Sequence, residues 1–417
     1  MTRLQVAIAL SGTICFAQDA APVRLHRIGR TIARQAAPVA AATPVVDFSV
    51  RLVPNDPSDN ALFGSNVSIQ GNLAVVGANS ADRGLGAAYV FERKSGGWTQ
   101  TAKLVAHDRF AGSEFGENVV ISGKTIAIGA PSDRSGTGAV YVYQNVSGAW
   151  VEEAKVVAAD GEQFEFFADS IALQGDLLLV GADLGSAPGI PGAGAAYAFR
   201  HNANAGTWIQ EAKLSDANPR PGGGYGAGTA IADGDTIAIG NTEAAIFYRH
   251  TGSTWSPQSR VVAQAPGELF GVNIAIDRNF MIVGAPFALA SSGVNTGAAY
   301  LYRRAGDNWT LESRIEPTDP ISRFFGTRVG ISGSIAVAGA PFTDFNQAPA
   351  GASAWVARRS GNSWTIAARL RPHDSTPLDN FGGYAAIDGS TILIGAEEAL
   401  AASGIPQGAA YLFLLDK

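Results

Sequence analysis

Five histidines, His26, His107, His201, His250 and His373, are scattered singly through the 417 residues. None stands at the spacing that places two imidazoles on one helix face for zinc. No Gly-x-Ser-x-Gly turn exposes a nucleophilic serine, and no Gly-x-x-x-x-Gly-Lys loop cradles a phosphate. Glycosidase chemistry would need two carboxylates at a defined separation, which sequence spacing does not reveal. The remaining candidates are charged and aromatic residues: Asp82-Arg83 and Asp133-Arg134, at matching places in two loops, then Asp183, Phe287, Asp344-Phe345 and Glu397-Glu398. Such side chains hold a ligand rather than transform one. The expectation is a binding protein and not an enzyme, with neither metal nor cofactor.

Those residues need a scaffold, and the chain supplies one by repetition. A unit recurs in which Phe-Gly opens an apolar segment, a two-residue turn follows, and a second apolar run ends in Gly-Ala. A variable loop comes next, then Gly-Ala-Ala-Tyr-Val-Phe or a relative, and finally a strand that opens on Trp and closes on Lys or Arg. The opening pairs are Phe63-Gly64, Phe115-Gly116, Phe270-Gly271, Phe325-Gly326 and Phe381-Gly382, with Phe167 preceding an alanine and a degenerate copy at Tyr225-Gly226. With Gly226 in the fourth slot, successive spacings are 52, 52, 59, 44, 55 and 56, so the copies number seven. Trp98, Trp150, Trp208, Trp255, Trp309 and Trp364 are expected to pack between neighbouring outer strands.

Each unit holds four strand-sized pieces, found in the second copy at 117–122, 125–129, 139–143 and 150–156. The turn between the first two begins with Gly in six copies and is Arg278-Asn279 in the other, the chemistry of a two-residue hairpin with positive φ. The second piece, such as Thr125-Ile126-Ala127-Ile128, is apolar on both faces, as a strand between two packed sheets must be. With 50 Gly, 20 Phe, 10 Tyr and 7 Trp, short strands are favoured over helices. An apolar content of 46% excludes a disordered chain, and a net charge of -6 excludes a generally basic nucleic-acid surface.

Seven such units bury both faces only by packing radially, so the expected fold class is all-β, a seven-bladed β-propeller of four-stranded antiparallel blades. The pair that ends the fourth strand occurs seven times, but the first, Arg51-Leu52, precedes the first Phe-Gly, and the last unit stops without a fourth strand. Residues 46–52 are therefore expected to close the last blade and remove the open edge of a linear array. Asp56, Asp108, Asp160, Asp319 and Asp374 each follow that Lys or Arg by five residues. Their recurrence points to a turn-forming role, with an acidic ring around the channel as the alternative.

Phe115-Gly116 through Gly129-Ala130-Pro131, and Phe270-Gly271 through Gly284-Ala285-Pro286, resemble the FG-GAP repeat of integrin α-subunit propellers and of many bacterial exported proteins. The resemblance covers 46–417 and implies a propeller with an adhesion-type binding role. Integrin-type blades often carry an Asp-x-Asp-x-Asp-Gly calcium loop between the first and second strands. Here a two-residue turn stands instead, too short for the roughly six to eight oxygens that calcium takes. The chain is similar to a shorter bacterial type without calcium sites.

Residues 1–17 read as an export signal, with a basic start, an apolar middle and a cleavage site at Cys15-Phe16-Ala17. Residues 18–44, carrying Arg24, Arg27, Arg30 and Arg34, read as a flexible lead-in, and 45–417 as the propeller. No later stretch approaches the roughly 18 unbroken apolar residues of a bilayer span. The expected location is periplasmic, cell-surface or secreted. Strand parity places the second-to-third loops and the blade-to-blade connections on one face. Those loops vary from 241–243 to 183–193, whereas the turns of the other face stay short. Variable loops on a rigid frame are where recognition resides, so binding of an extracellular or envelope protein or carbohydrate is assigned to that face. Unconstrained loop drift is the plain alternative. A hydrolase at the channel mouth and a structural or self-assembling envelope module are the other functional readings.

Overall fold

The computed structural model describes residues 43–187, 190–319, 321–343, 352–376, 378–401 and 404–415. The expected export signal, nearly all of the lead-in and Asp344-Phe345 lie outside the described residues. Blades 1 to 7 span 63–104, 118–156, 170–214, 228–262, 274–315, 329–370 and 384–414. In blade 2 the strands are Asn118–Ser122, Thr125–Ala130, Ala139–Val146 and Ala149–Val156, hydrogen-bonded in that order. The first strand of each blade touches that of the next, and the seventh touches the first. The ring is closed.

Buried side chains fall into seven clusters, one at each blade junction. Val75, Val90 and Leu104 of blade 1 meet Ile126 and Ile128 of blade 2, while Leu393 and Leu412 of blade 7 meet Val76 and Phe91 of blade 1. The doubly apolar second strand makes this arrangement work. Thr125–Ala130 is buried throughout, with Ile126 and Ile128 serving one junction and Ala127 the other.

The N-terminal closure is divided between two blades. Val50–Leu52 pairs antiparallel with Ala409–Leu414 and supplies the missing outer strand of blade 7. Val45–Val46, however, runs parallel to the outer strand of blade 6. Asp47 and Phe48 make the step between them. Asp47 accepts bonds from the backbone N–H groups of Phe48 and His373 and contacts His373 Nδ1 at 2.6 Å, while the Phe48 ring stacks on His373 at 5.1 Å. The expected single closing strand at 46–52 is thus shorter, and its first residues latch the neighbouring blade.

The two glycine motifs are halves of one joint. Gly116 holds φ at 99°, a region open in practice only to glycine, and a Cβ there would strike the Ala87 carbonyl of the preceding blade. The Gly116 carbonyl in turn lies where a Cβ on Gly77 would be. Gly64 and Gly395 form the same joint across the closure of blades 7 and 1. The opening Phe packs edge-on against the third-strand Tyr of its own blade, as in Phe63–Tyr89 at 5.5 Å and Phe115–Tyr141 at 5.3 Å. Such pairs contribute about 0.5–1.5 kcal/mol beyond burial.

Blades 3 and 4 depart from this pattern. Ala168 takes the glycine place in blade 3 at φ 80°. In blade 4 the aromatic slot belongs to Tyr225 and the glycine slot to Gly226, at φ 96°, one residue from the register that counted Gly226 as the aromatic position. The first hairpin-turn residue has φ of 55–62° in six blades, Arg278 included, but Gly234 of blade 4 lies outside the left-handed region, beside a register shift between Ile231 and Asp233.

Candidate binding face and axial mouth

The loop face is organised by the cation that ends each outer strand. Lys103 bonds Asp56 at 2.6 Å and Asp82 at 2.9 Å, and Lys155 bonds Asp108 and Asp133, both at 2.7 Å. Lys213 pairs with Asp160, Arg369 with Asp319 and Arg51 with Asp374. Each of these cations also lies over the third-strand aromatic ring, from 4.9 Å for Lys155 on Tyr141 to 5.7 Å for Arg51 on Tyr411. The recurrent aspartates therefore reach across to the outer strand of the blade they lead into. Asp319 forms turn bonds too, accepting from the N–H groups of Ile321 and Ser322. The shared task of the five is the clamp on the cation.

Asp82-Arg83 and Asp133-Arg134 are offset by one residue rather than matched. The consecutive left-handed residues are Asp82 and Arg83 in blade 1 but Arg134 and Ser135 in blade 2, so Asp133 occupies the buried place of Ala81. Burial opposes the charge of Asp82, but its bonds to Arg109 and Lys103 hold its pKa below the usual carboxylate value. Arg83 and Arg134 are exposed. Asp183 is half-buried at the start of the blade 3 loop. Phe287 meets Phe324 edge-on at 5.2 Å, and Phe324 meets Phe342 at 5.5 Å, an aromatic group bridging blades 5 and 6. Glu398 is exposed, and Glu397 turns toward the axis.

The axial mouth forms where the first strands begin. After the junction glycine stand Ser65, Ala227, Thr327 and Gly383 in four blades, but Glu117 follows Gly116 in blade 2 and Asp169 follows Ala168 in blade 3. Glu117 accepts the Asn79 amide on one oxygen, and its other oxygen is 3.5 Å from the Tyr384 hydroxyl of blade 7. The Arg328 guanidinium lies over the Tyr384 ring at 4.8 Å. Glu397 accepts the Asn380 amide at 2.6 Å. Burial, reinforced by Glu114, Glu397 and Asp169, pushes the Glu117 carboxyl up to about 8. Burial also pushes Glu397 up to about 7, with Glu398 adding to the effect and Arg328 opposing it. A carboxyl in this state carries a proton near neutral pH and releases it readily to a base or in exchange for a cation. Among the described residues no three His, Cys, Asp or Glu side chains are grouped to hold a metal ion.

Sequence reasoning reached Glu397 but missed Glu117, Arg328 and Tyr384. Their signal is positional: they stand one or two residues after the junction glycine, where most copies carry small or amide side chains.

An FG-GAP repeat family model matches five segments, 47–91, 98–143, 150–199, 255–302 and 364–413. The chain belongs to the FG-GAP repeat family. Each FG-GAP match starts in or beside the outer strand of one blade and ends in the third strand of the next, so the sequence repeat straddles the structural one. The two blades without a match of their own are 4, with its Tyr-Gly opening, and 6. Solved structures share the fold. A chain of the crystal structure of the mitotic checkpoint complex covers 95% of this chain over 100% of its own length, at TM-score 0.54 and 12% identity. At that identity the likeness speaks for the architecture alone. No curated protein matches the sequence. No helix among the described residues is long and apolar enough to cross a membrane.

Proposed function

We propose that this FG-GAP propeller is an exported binding module that recognises a protein or carbohydrate through its loop face. One observation carries the reading: large apolar side chains stay exposed on the loops and connections of that face, Phe164 at 64%, Leu289 at 60% and Leu378 at 71%. Large apolar groups kept in water on the variable loops of a rigid frame suit a surface that a partner covers. The test is a glycan and protein array probed with the purified propeller and with Phe164→Ser/Leu378→Ser. A ligand lost in the variant supports the reading, and identical profiles overturn it. Export rests on the basic-apolar start of the chain, and N-terminal sequencing of the mature protein checks for cleavage after Ala17.

The axial carboxyls favour a second reading, a hydrolase at the mouth. A Glu117 that keeps its proton near neutral pH has the state required of a general acid. Turnover on a hydrolase panel, abolished in Glu117→Gln, would support it.

A further inference from the structure

We infer that the ring has a built-in seam between blades 3 and 4, which part at their turn-face rim and stay joined on the loop side, while the chain closure between blades 7 and 1 remains shut. Among the described residues, six of the seven junctions carry a turn-face hydrogen bond of 3.0 Å or less. Five are hairpin glycines, Gly71, Gly123, Gly175, Gly333 and Gly389, donating to a side chain of the preceding blade. Between blades 4 and 5 the bonds are Arg304 to Asp233 at 2.9 Å and Ser259 to the Asp307 carbonyl at 2.8 Å. Blades 3 and 4 lack any equivalent. Gln174 occupies the acceptor place that Gln70 fills between blades 1 and 2, but the turn of blade 4 curls on itself, with Asp233 accepting from the Asp235 N–H at 3.0 Å.

The outer corner of the same rim is equally loose. Between blades 5 and 6, Arg359 grips Glu312 with two bonds of 2.7 Å. His201 contacts Glu153 at 3.2 Å between blades 2 and 3, but His250 stands 3.9 Å from Glu211 between blades 3 and 4. Arg200 of blade 3 already holds that carboxylate at 3.1 Å, and Trp255 reaches it only at 3.4 Å. The loop side of this junction is firmly tied: Gly222 N–H donates to the Gly192 carbonyl at 2.8 Å, and the Ser170 hydroxyl to the Gly226 carbonyl at 2.7 Å. One edge bonded and the other unbonded make a hinge. Opening it changes the angle between two blades without breaking a strand or unlinking the chain ends.

Thiol labelling of full-length cysteine variants, with the labelled site read by mass spectrometry, measures the opening. Ile237 and Ile126 are fully buried, stand two residues past their hairpin turns and pack into the junction with the preceding blade. Ile237→Cys and Ile126→Cys are thus the same change at two junctions. Ile237→Cys is expected to react at least about tenfold faster than Ile126→Cys, than Met281→Cys between blades 4 and 5, and than Leu393→Cys at the closure. Ile239→Cys, in the same junction but nearer the loop side, should also react more slowly. His250→Arg copies the grip of Arg359 on Glu312 and should slow labelling of Ile237→Cys by about fivefold or more, leaving Ile126→Cys unchanged. Equal labelling at all sites, or fastest labelling at Leu393→Cys, overturns the inference. So does fast labelling of Ile237→Cys that His250→Arg does not slow. If Ile237→Cys fails to fold, hydrogen exchange of the wild-type chain decides: amides of 236–240 that exchange no faster than those of 125–129 overturn the seam.

Discussion

The two faces of the ring grow from the same strands and end differently. On the turn face, the hairpin of one blade is tied to the first strand of the blade before it. Gly123 N–H donates to Gln70, Gly175 to Ser122, Gly333 to Asp277 and Gly389 to Ser332, and Gly71 donates to Asp388 across the closure. Among the described residues this ladder is interrupted only on either side of blade 4. The loop face is held in common only by clamps set back from its tips, and the contacts beyond them change with the length and composition of each loop. One face is therefore constrained by the same tip-to-strand bond at blade after blade, and the other by the shared clamp at its base together with contacts that differ from loop to loop, such as Gly112 N–H to the Gly84 carbonyl and Gly222 N–H to the Gly192 carbonyl. That division lets binding loops change without disturbing closure of the ring.

The largest effects should come from the joints beneath both faces. Gly116→Val places a β-branched side chain at φ 99° against the Ala87 carbonyl, and we expect a loss of upwards of about 3 kcal/mol in chemical denaturation. Gly123→Ala, at a turn tip with nothing within 4 Å of the new methyl, should cost only about 1 kcal/mol through its φ of 62°. Equal costs would mean that the joint is not what fixes the motif. Ala168→Gly should act in the opposite sense and stabilise by up to about 1 kcal/mol, because it relieves a non-glycine residue at φ 80°.

The axial mouth should respond next, and with an unusual sign. The folded chain holds the Glu117 proton up to about pH 8, whereas the unfolded chain releases it near the ordinary glutamate value of 4.5. The native state thus binds more protons between those values. This contribution to stability is complete below about 4.5 and is lost as pH rises through about 8. Glu117→Gln keeps an acceptor for Asn79 and removes the titration. It should be nearly neutral at pH 5 and stabilising by on the order of 2 kcal/mol at pH 8. Thermal melts at the two pH values read the difference directly. Destabilisation of equal size at both would show that Glu117 is ionised in the native state.

Much of the frame was legible because period and closure are written in local chemistry: turn glycines, doubly apolar second strands and an unpaired Arg51-Leu52. What stayed hidden depends on residues far apart in the chain. The latch of Val45–Val46 needs Asp47 to find His373, and the mouth needs Glu117 to meet Tyr384 across 267 residues. The residue before the opening aromatic is left-handed in every blade, at Leu62, Glu114, Phe166, Gly224, Leu269, Phe324 and Asn380. Leucine and phenylalanine give no local hint of that conformation, which the joint imposes from outside. The recurrent aspartates follow the same rule: Asp319 makes the expected turn bonds, but the clamp on the cation is what the five share. A residue that recurs at one position shows that it has a shared structural task, but the distant Lys or Arg shows which task.

Smaller effects sharpen the contrast between the faces. Asp388→Ala removes the acceptor for Gly71 N–H at the closure and should cost about 1 kcal/mol, since the exposed N–H can turn to water. Phe164→Ser and Leu378→Ser remove side chains of comparable or greater size from the loop face, yet each should shift stability by no more than about 0.5 kcal/mol. Their apolar surface is already in water in the free protein, so the folded state loses little when it goes. The same change should abolish retention of an array ligand, because that surface is buried only when a partner covers it. A drop of about 2 kcal/mol in the free protein would mean that the two side chains pack within the propeller, and the loop face would lose its claim to be the recognition surface.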